Sequence, residues 1–238
     1  MHIAILVTNT DRSEFARQNP RDPEMFQNLL SIHRPDWKFS VYDLTEDNYP
    51  DDLSGYDGVI LTGSPASVND DAPWVGKMLD LVRAIETDKI PMFGACFGHQ
   101  AIAKALGGTV GYNPDGWQLG STSTRFSGGR SWLNGAGEIT LYAAHKEQVT
   151  GLPAEAEILS SSPQCAVGAF AVGDHVFATQ YHPEMTPEFV NALIDEMSPS
   201  IDREVETRAR QSLARQAENE RFSAWVVAFF EQAAQPDR

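Results

Sequence analysis

The chain has 238 residues, 42% of them hydrophobic, which is enough for one sizeable α/β domain with a packed core. Its formal net charge of −15 repels phosphate backbones, so nucleic acid is not expected as a partner. Two distant cysteines make no disulfide framework, and no apolar run approaches the roughly 20 residues of a membrane span. The amino terminus is too short and uncharged for a signal peptide. These features predict a reduced, cytoplasmic, soluble protein with no membrane contact.

The first 108 residues alternate between strand and helix patterns. Apolar runs predict strands over 2–8, 38–44, 56–65 and 90–96. Helical spacing predicts helices over 24–33, 73–86 and 97–108. Such alternation is typical of βαβ units, which build a parallel sheet. The polar stretch 9–23 follows the first strand, so we expect a loop at the carboxyl edge of that sheet.

The pattern changes after about residue 109. Several short strand-like segments follow with few helices between them, which predicts antiparallel or mixed strands. Helices are expected over 186–197 and along a stretch from about 201 to 234. In that stretch an apolar stripe from Phe222 to Phe230 is either a partner-binding face or, as we prefer, packed on its own domain. The fold class is therefore α/β, with an open, mostly parallel sheet flanked by helices, extra short strands in the second half and C-terminal helices.

One cysteine lies between two glycines where a predicted strand becomes a helix. Gly94-Ala-Cys96-Phe-Gly98 has the layout of a nucleophile elbow, in which small neighbours allow a tight turn around the nucleophile. The sulfur then projects above the carboxyl edge of the sheet, beside a helix N-terminus that favours the thiolate. Taken alone, the same cysteine is equally compatible with a small buried hydrophobic residue.

A thiolate nucleophile needs a proton acceptor, and the segment around His182 offers one. His182 and Glu184 are two residues apart in an extended stretch, so their side chains point to the same side. A carboxylate in this position holds the imidazole in one tautomer while its other nitrogen faces the thiol. An elbow cysteine together with this His-x-Glu pair is far more specific than either feature alone.

Five segments of the chain together resemble the class I glutamine amidotransferase family, including its GMP-synthase-like domains and γ-glutamyl peptidases. The segments are GVILTGSP (58–65), GACFGHQAIAKALGG (94–108), PDGWQLG (114–120), AAHKEQV (143–149) and ATQYHPE (178–184). The resemblance implies a flavodoxin-like amidotransferase domain over residues 1–195. Residues 196–238 are then expected to form a helical extension packed on the same domain.

The resemblance also implies a catalytic triad of Cys96, His182 and Glu184 that hydrolyses a γ-glutamyl amide through a thioester. The backbone N–H groups of Phe97 and Ser64 are then expected to form the oxyanion hole. The family more often has a second glycine where this chain has Ser64.

Four residues are expected to bind the substrate by the same resemblance: Gly63, Gln100, Lys146 and Glu147. Gln100 lies four residues after the cysteine, on the same helix face. We expect structural roles for the histidines at 99 and 145 and inert packing for Cys165. Trp117 is either a pocket wall or, as we prefer, a core residue.

The sequence predicts no metal and no cofactor, because it contains neither metal-ligand spacing nor a phosphate-binding loop. The leading functional hypothesis is hydrolysis of glutamine or another γ-glutamyl compound, with release of ammonia or an amine. One alternative is a glutaminase subunit that supplies ammonia to a separate synthetase chain. Another is a non-catalytic regulatory module with the same fold. An α/β-hydrolase is disfavoured by the His-x-Glu spacing, and the oligomeric state is left open.

Overall fold

A nine-stranded mixed sheet forms the centre of the protein in the computed structural model, which describes residues 1–127 and 129–234. Its strands lie in the order β2-β1-β3-β4-β11-β10-β9-β6-β7, and β5 and β8 form a separate antiparallel pair. The strands are β1 (His2–Val7), β2 (Lys38–Asp43), β3 (Gly58–Leu61), β4 (Met92–Ala95), β5 (Thr109–Tyr112), β6 (Gln118–Phe126), β7 (Glu138–His145), β8 (Glu147–Gly151), β9 (Ala156–Ser162), β10 (Cys165–Val172) and β11 (Val176–Thr179).

Helices cover both faces of this sheet. They are α1 (Glu14–Gln18), α2 (Asp22–Ser31), α3 (Pro73–Thr87), α4 (Phe97–Ala105), α5 (Pro187–Met197), α6 (Arg203–Ser212) and α7 (Asn219–Ala233), with short 3₁₀ turns at Leu44–Glu46 and Ser198–Ser200. In the described ranges, no helix combines the length and the apolar character that a bilayer crossing needs.

The sheet has a parallel half and an antiparallel half. Strands β2, β1, β3, β4 and β11 run parallel to one another. Strand β10 pairs antiparallel with β11, and β9, β6 and β7 continue the sheet with antiparallel pairing. This arrangement confirms the predicted α/β fold and the change of pattern after residue 109. Parallel neighbours require crossover connections, and α2, α3 and α4 belong to the first half, where those connections occur.

Alternate side chains of the first strand serve two hydrophobic cores. Ile3, Ile5 and Val7 pack on the face covered by α2 and α7, while Ala4 and Leu6 pack on the face covered by α3 and α4. The strand is therefore buried on both faces, as its continuous apolar run predicts.

The last helix fills one of these cores. Phe222 is fully buried and lies with its ring centroid 5.6 Å from that of Phe177 and 5.8 Å from that of Phe126. Phe229 and Phe230 are buried in the same cluster, so the apolar stripe of α7 faces the sheet.

One expectation about local structure was wrong. The stretch 9–23 contains the short helix α1, because the hydroxyl of Ser13 caps it by accepting from the Ala16 N–H at 3.2 Å. The predicted helical stretch 201–234 consists of two helices, α6 and α7. The segment between them is tied to the sheet, since the Glu218 N–H donates to the Thr140 carbonyl at 2.8 Å. No glycine or proline marks this break in the sequence.

Removing the aromatic side chain of Phe222 should expose how much the sheet depends on α7. We expect Phe222→Ala to lower the free energy of unfolding by about 3–5 kcal/mol, because it leaves a cavity among packed rings. Tyr112→Ala is the matched control, since Tyr112 is 71% exposed and its loss should cost about 0.5 kcal/mol or less. Urea unfolding of both variants measures the difference, and equal costs would contradict the assignment of α7 to the core.

Candidate active site

Cys96 lies in a strained turn between β4 and α4. Its φ of 51° and ψ of −102° fall in a region that residues with a side chain rarely adopt. A Cβ on Gly98 would lie 2.5 Å from the Leu61 carbonyl oxygen, and one on Gly94 would lie 2.8 Å from the backbone of Gly98. Both glycines therefore permit a close approach that this turn requires. The Cys96 N–H donates to the Thr179 carbonyl at 2.9 Å, which ties the turn to β11.

Helix α4 begins immediately after the cysteine. Phe97 is its first residue, so the Phe97 N–H has no partner within the helix and points out of its N-terminal end. The positive end of the helix dipole lies at the same place. This environment favours a negative charge on the sulfur and on an oxygen held beside it.

His182 and Glu184 form a buried pair just beyond β11. Nδ1 of His182 lies 2.6 Å from Oε1 of Glu184, and the side chains are only 5% and 0% exposed. The His182 N–H donates to the Tyr142 carbonyl at 2.9 Å, which fixes the backbone beneath the ring. Because Glu184 occupies Nδ1, the free nitrogen is Nε2, which is buried without a hydrogen-bond partner among the described residues. That nitrogen is available to exchange a proton with a thiol.

The charges around His182 favour its protonated form. Burial lowers the pKa of the imidazole, but Cys96 and Glu184 outweigh burial and hold the pKa well above its usual range. A thiolate at Cys96 and an imidazolium at His182 therefore stabilise each other.

Gly63 lets the backbone after β3 approach both side chains. A Cβ at this position would lie 3.0 Å from Cε1 of His182 and 3.9 Å from Cβ of Cys96. A contact of 3.0 Å to a ring held by a buried carboxylate would force the imidazole to move. Glycine at 63 therefore keeps the histidine in place beside the turn.

Ser64 follows this glycine without backbone strain. Among the described residues other than glycine, a positive φ occurs at Asp47, Lys89 and Cys96, so Ser64 lies in a region open to any side chain. Its hydroxyl accepts from the Ala66 N–H at 3.2 Å and so stabilises the turn. Serine in place of the family's usual glycine thus leaves the backbone N–H intact.

Three of the four predicted substrate-binding residues, Gln100, Lys146 and Glu147, line a polar cavity of about 230 Å³ that reaches Cys96, whereas Gly63 does not line it. Nε2 of Gln100 donates to the Glu147 carbonyl at 2.8 Å, and the Ser67 hydroxyl donates to Oε2 of Glu147 at 2.7 Å. Nζ of Lys146 lies 5.8 Å from the ring centroid of Trp117. The structure brings these side chains together on one side of the cysteine.

Two aspects of this site differ from the sequence-based expectation. Trp117 is half-buried and lines the cavity, so the preferred assignment to the core was wrong. Gln180 was missed, although its Nε2 lies 3.5 Å from Sγ of Cys96 and its Oε1 accepts from Gln100 at 3.2 Å. The signal was its position two residues before His182, directly after the end of β11.

Two other histidines, His99 and His145, and the second cysteine are buried near the site. Burial lowers the pKa of His99 to about 3 and that of His145 to about 4, so both rings are neutral near pH 7. Nδ1 of His145 lies 3.0 Å from the Glu147 carbonyl, which implies a structural contact. Burial raises the pKa of the Cys165 thiol to about 12, and this thiol therefore stays protonated. Within residues 1–127 and 129–234, no cluster of three or more potential ligands could hold a metal ion.

A second cavity of about 140 Å³ also reaches Cys96 and His182 and is lined mostly by apolar side chains. Asp22 is one of its few charged residues and is only 7% exposed. Burial raises the pKa of Asp22 to about 6, although the hydrogen bond from Nδ2 of Asn9, at 2.8 Å, opposes the shift. Glu184 adds to the shift because it is a neighbouring negative charge.

Three comparisons place these features among known proteins. The chain is 30% identical to gamma-glutamyl peptidase 3 of Arabidopsis thaliana over 66% of its own length and 67% of that protein. It is 33% identical to the glutamine-hydrolysing GMP synthase of Aeropyrum pernix over 54% of its length, but this match covers only 24% of the synthase. The fold superposes with a TM-score of 0.77 on a glutamine amidotransferase from Methylobacillus flagellatus, at 23% identity, with 99% of this chain and 96% of the other covered.

The chain also matches a protein family as a whole. Residues 30–194 match the class-I glutamine amidotransferase family, and this range includes the cysteine turn, the turn at Gly63 and the His182–Glu184 pair. The chain therefore belongs to the class I glutamine amidotransferase family.

Proposed function

We propose that the protein hydrolyses γ-glutamyl amides, with Cys96 as nucleophile, His182 as acid and base, and Glu184 as the residue that orients His182. The observation that carries this proposal is the buried His182–Glu184 pair, with Nδ1 and Oε1 2.6 Å apart, beside a cysteine held at a helix N-terminus. A buried imidazole with one nitrogen paired and the other free is arranged for proton transfer rather than for packing.

The first half of the proposed reaction forms a thioester. The thiolate of Cys96 attacks the side-chain carbonyl carbon of the γ-glutamyl group, and the carbonyl oxygen becomes an oxyanion. The backbone N–H groups of Phe97 and Ser64 donate to that oxygen. When the intermediate collapses, the C–N bond breaks, the amine takes a proton from Nε2 of His182, and the acyl group remains on sulfur.

The second half regenerates the enzyme. His182, now neutral, accepts a proton from a water molecule whose oxygen attacks the thioester carbon. The C–S bond breaks, the thiolate leaves, and glutamate is released. One γ-glutamyl amide and one water thus give glutamate and one amine, or ammonia when the substrate is glutamine.

The polar cavity is the proposed site for the amino-acid end of the glutamyl group. Gln100, Lys146 and Glu147 line it, whereas Gly63 lines the second, more apolar cavity, beside His182 and Cys96. Because Nε2 of Gln100 is already used by Glu147 and Gln180, its side-chain carbonyl is the group that would accept from the substrate's ammonium.

A glutaminase subunit that serves a separate synthetase is the second candidate function. The match to part of a GMP synthase supports it, since that protein is named for both glutamine hydrolysis and synthesis. The broader match to a gamma-glutamyl peptidase favours the free-standing hydrolase. A regulatory module without turnover is disfavoured, because such a role needs no buried acid–base pair.

Two further predictions accompany the proposal. The protein is expected in the cytoplasm, and residues 1–195 are proposed as the amidotransferase domain with 196–238 as its extension. The burial of α7 in the core supports the view that this extension packs on the same domain.

Exchanging each cysteine for serine tests the nucleophile. Cys96→Ser should reduce release of ammonia or amine by about 10³-fold or more, because a hydroxyl is far less acidic than a thiol at this site. Cys165→Ser is the matched control, and its rate of release should stay within about threefold of the parent's, since the Cys165 thiol is buried, stays protonated and donates to the Val167 carbonyl at 3.4 Å. Mass spectrometry of the parent protein should find a glutamyl adduct on the peptide that contains Cys96. Equal losses in both variants would refute the assignment.

Removing the charge of Glu184 tests its orienting role. Glu184→Gln should lower kcat by about 10–10³-fold, less than His182→Ala does, because the amide can still contact Nδ1 but no longer stabilises the imidazolium. The pKa of His182 should also fall, since one of the two charges that raise it is lost. NMR titration of His182 and the alkaline limb of kcat/KM, where the imidazolium is lost, measure this fall. Full activity of Glu184→Gln would place the third member of the triad elsewhere.

A further inference from the structure

The cavity on the far side of Cys96 adjoins a larger groove. We call the first, of about 140 Å³, the inner cavity, and the second, of about 510 Å³, the outer groove. Both are bordered by the same five residues, so the outer groove lies next to the inner cavity. The shared residues are Asn9, Asp11, Phe15, Asp22 and Phe189.

The inner cavity is larger than ammonia requires. It meets the polar cavity at Cys96 and Ser64. Gln100, Lys146 and Glu147, which would hold the amino-acid end of the glutamyl group, line the polar cavity and not the inner one, whereas Gly63 lines the inner cavity. A substrate that passes over the sulfur therefore places its acyl half in the polar cavity and its leaving group in the inner cavity. Ammonia is close in size to a water molecule, which occupies about 30 Å³ in the liquid. The space would be mostly unused by glutamine.

The walls of the inner cavity are apolar. Phe15 of α1 and Phe189 of α5 meet edge to face with their ring centroids 5.6 Å apart. Met185, Leu193 and Met197 complete the apolar wall. Such a surface gains free energy from contact with an alkyl or aryl group and little from contact with ammonia.

The inner cavity is lined by acidic side chains, whereas the outer groove is lined by side chains of both signs, with the acidic ones in excess. The charged side chains that line the inner cavity, apart from His182, are Asp11 and Asp22, and no lysine or arginine of the described chain lines it. The outer groove has basic side chains as well as acidic ones, and Arg21 is the exposed cation nearest in sequence to Asp22. A negatively charged substrate group is therefore disfavoured in the inner cavity, next to the sulfur, and less disfavoured in the outer groove.

We propose that the inner cavity binds the amine half of a γ-glutamyl amide in which an apolar side chain, and no free carboxylate, lies next to the scissile nitrogen. The inference rests on the proposed hydrolase function and specifies its substrate class. In a γ-glutamyl dipeptide the free carboxylate is two bonds from that nitrogen and would lie in the inner cavity with Asp11 and Asp22. Converting the carboxylate into an amide removes the repulsion, and a continuing peptide chain then extends into the outer groove.

A matched set of substrates tests this proposal on the intact protein. Release of leucinamide, leucine and ammonia is measured from γ-glutamyl-leucinamide, γ-glutamyl-leucine and glutamine, respectively. We expect kcat/KM for γ-glutamyl-leucinamide to exceed each of the other two by ~10-fold or more, as one unfavourable charge contact or one unfilled apolar pocket would produce. The kcat/KM for γ-glutamyl-glycinamide, which lacks the apolar side chain, should be lower than that for γ-glutamyl-leucinamide.

Two variants separate the charge from the apolar wall. Asp22→Asn should lower the ratio of kcat/KM for γ-glutamyl-leucinamide to kcat/KM for γ-glutamyl-leucine by ~3-fold or more. Asp88→Asn makes the same change of net charge at the exposed end of α3 and should leave this ratio unchanged. Phe189→Ala should lower kcat/KM for γ-glutamyl-leucinamide and spare glutamine. Because each readout is a ratio within one preparation, partial unfolding of a variant does not alter it.

The outcomes distinguish this inference from the proposed function. Equal kcat/KM values for γ-glutamyl-leucinamide and γ-glutamyl-leucine, or a higher kcat/KM for γ-glutamyl-leucine, would overturn the charge argument. Glutamine as the best substrate would overturn the assignment of the cavity and leave the hydrolase function intact. Absence of turnover for every compound would overturn the proposed function itself, and the substrate class with it.

Discussion

The positive φ at Cys96 is the constraint on which the site depends. A residue with a side chain adopts this conformation only where its surroundings enforce it, and here three contacts do so. Gly98 packs directly on the Leu61 carbonyl, Gly94 packs on the backbone of Gly98, and the Cys96 N–H bonds to Thr179. These contacts join β3, β4 and β11, so the sulfur can be held in this position only when the centre of the parallel sheet is formed.

The main residues of the candidate site directly follow the same three strands. The turn with Gly63 follows β3, the cysteine follows β4, and His182 and Glu184 follow β11. Because parallel strands end at one edge, the three segments meet there without any long loop. The antiparallel half of the sheet also fixes this segment, since the Tyr142 carbonyl on β7 accepts a hydrogen bond from the His182 N–H. Helix α7 packs on one face of the sheet and so stabilises the strands from which the site residues extend.

Local sequence relations were sufficient for the central features of the fold and the site. The Gly-x-Cys-x-Gly turn and the His-x-Glu pair depend on residues one or two positions apart, whose directions the backbone fixes. The alternation of apolar runs with helical spacing likewise predicted the parallel strands and the change to antiparallel pairing, because hydrophobic periodicity follows secondary structure directly. The roles assigned to the triad remain proposals, but the proximity of His182 and Glu184 follows from the chain alone.

Only the tertiary structure decided which distant residues share the site. Gln180 contacts the sulfur across 84 positions of sequence, and Asp22 reaches the inner cavity from the start of α2. Trp117 was expected in the core because it is large and apolar, yet packing left it half-buried beside Lys146. The break before α7 arose in the same way, because Glu218 found a partner on β7 that no local signal announces. Neighbouring residues determine backbone direction, whereas burial, cavity shape and the local charge depend on contacts that form only when the whole sheet is assembled.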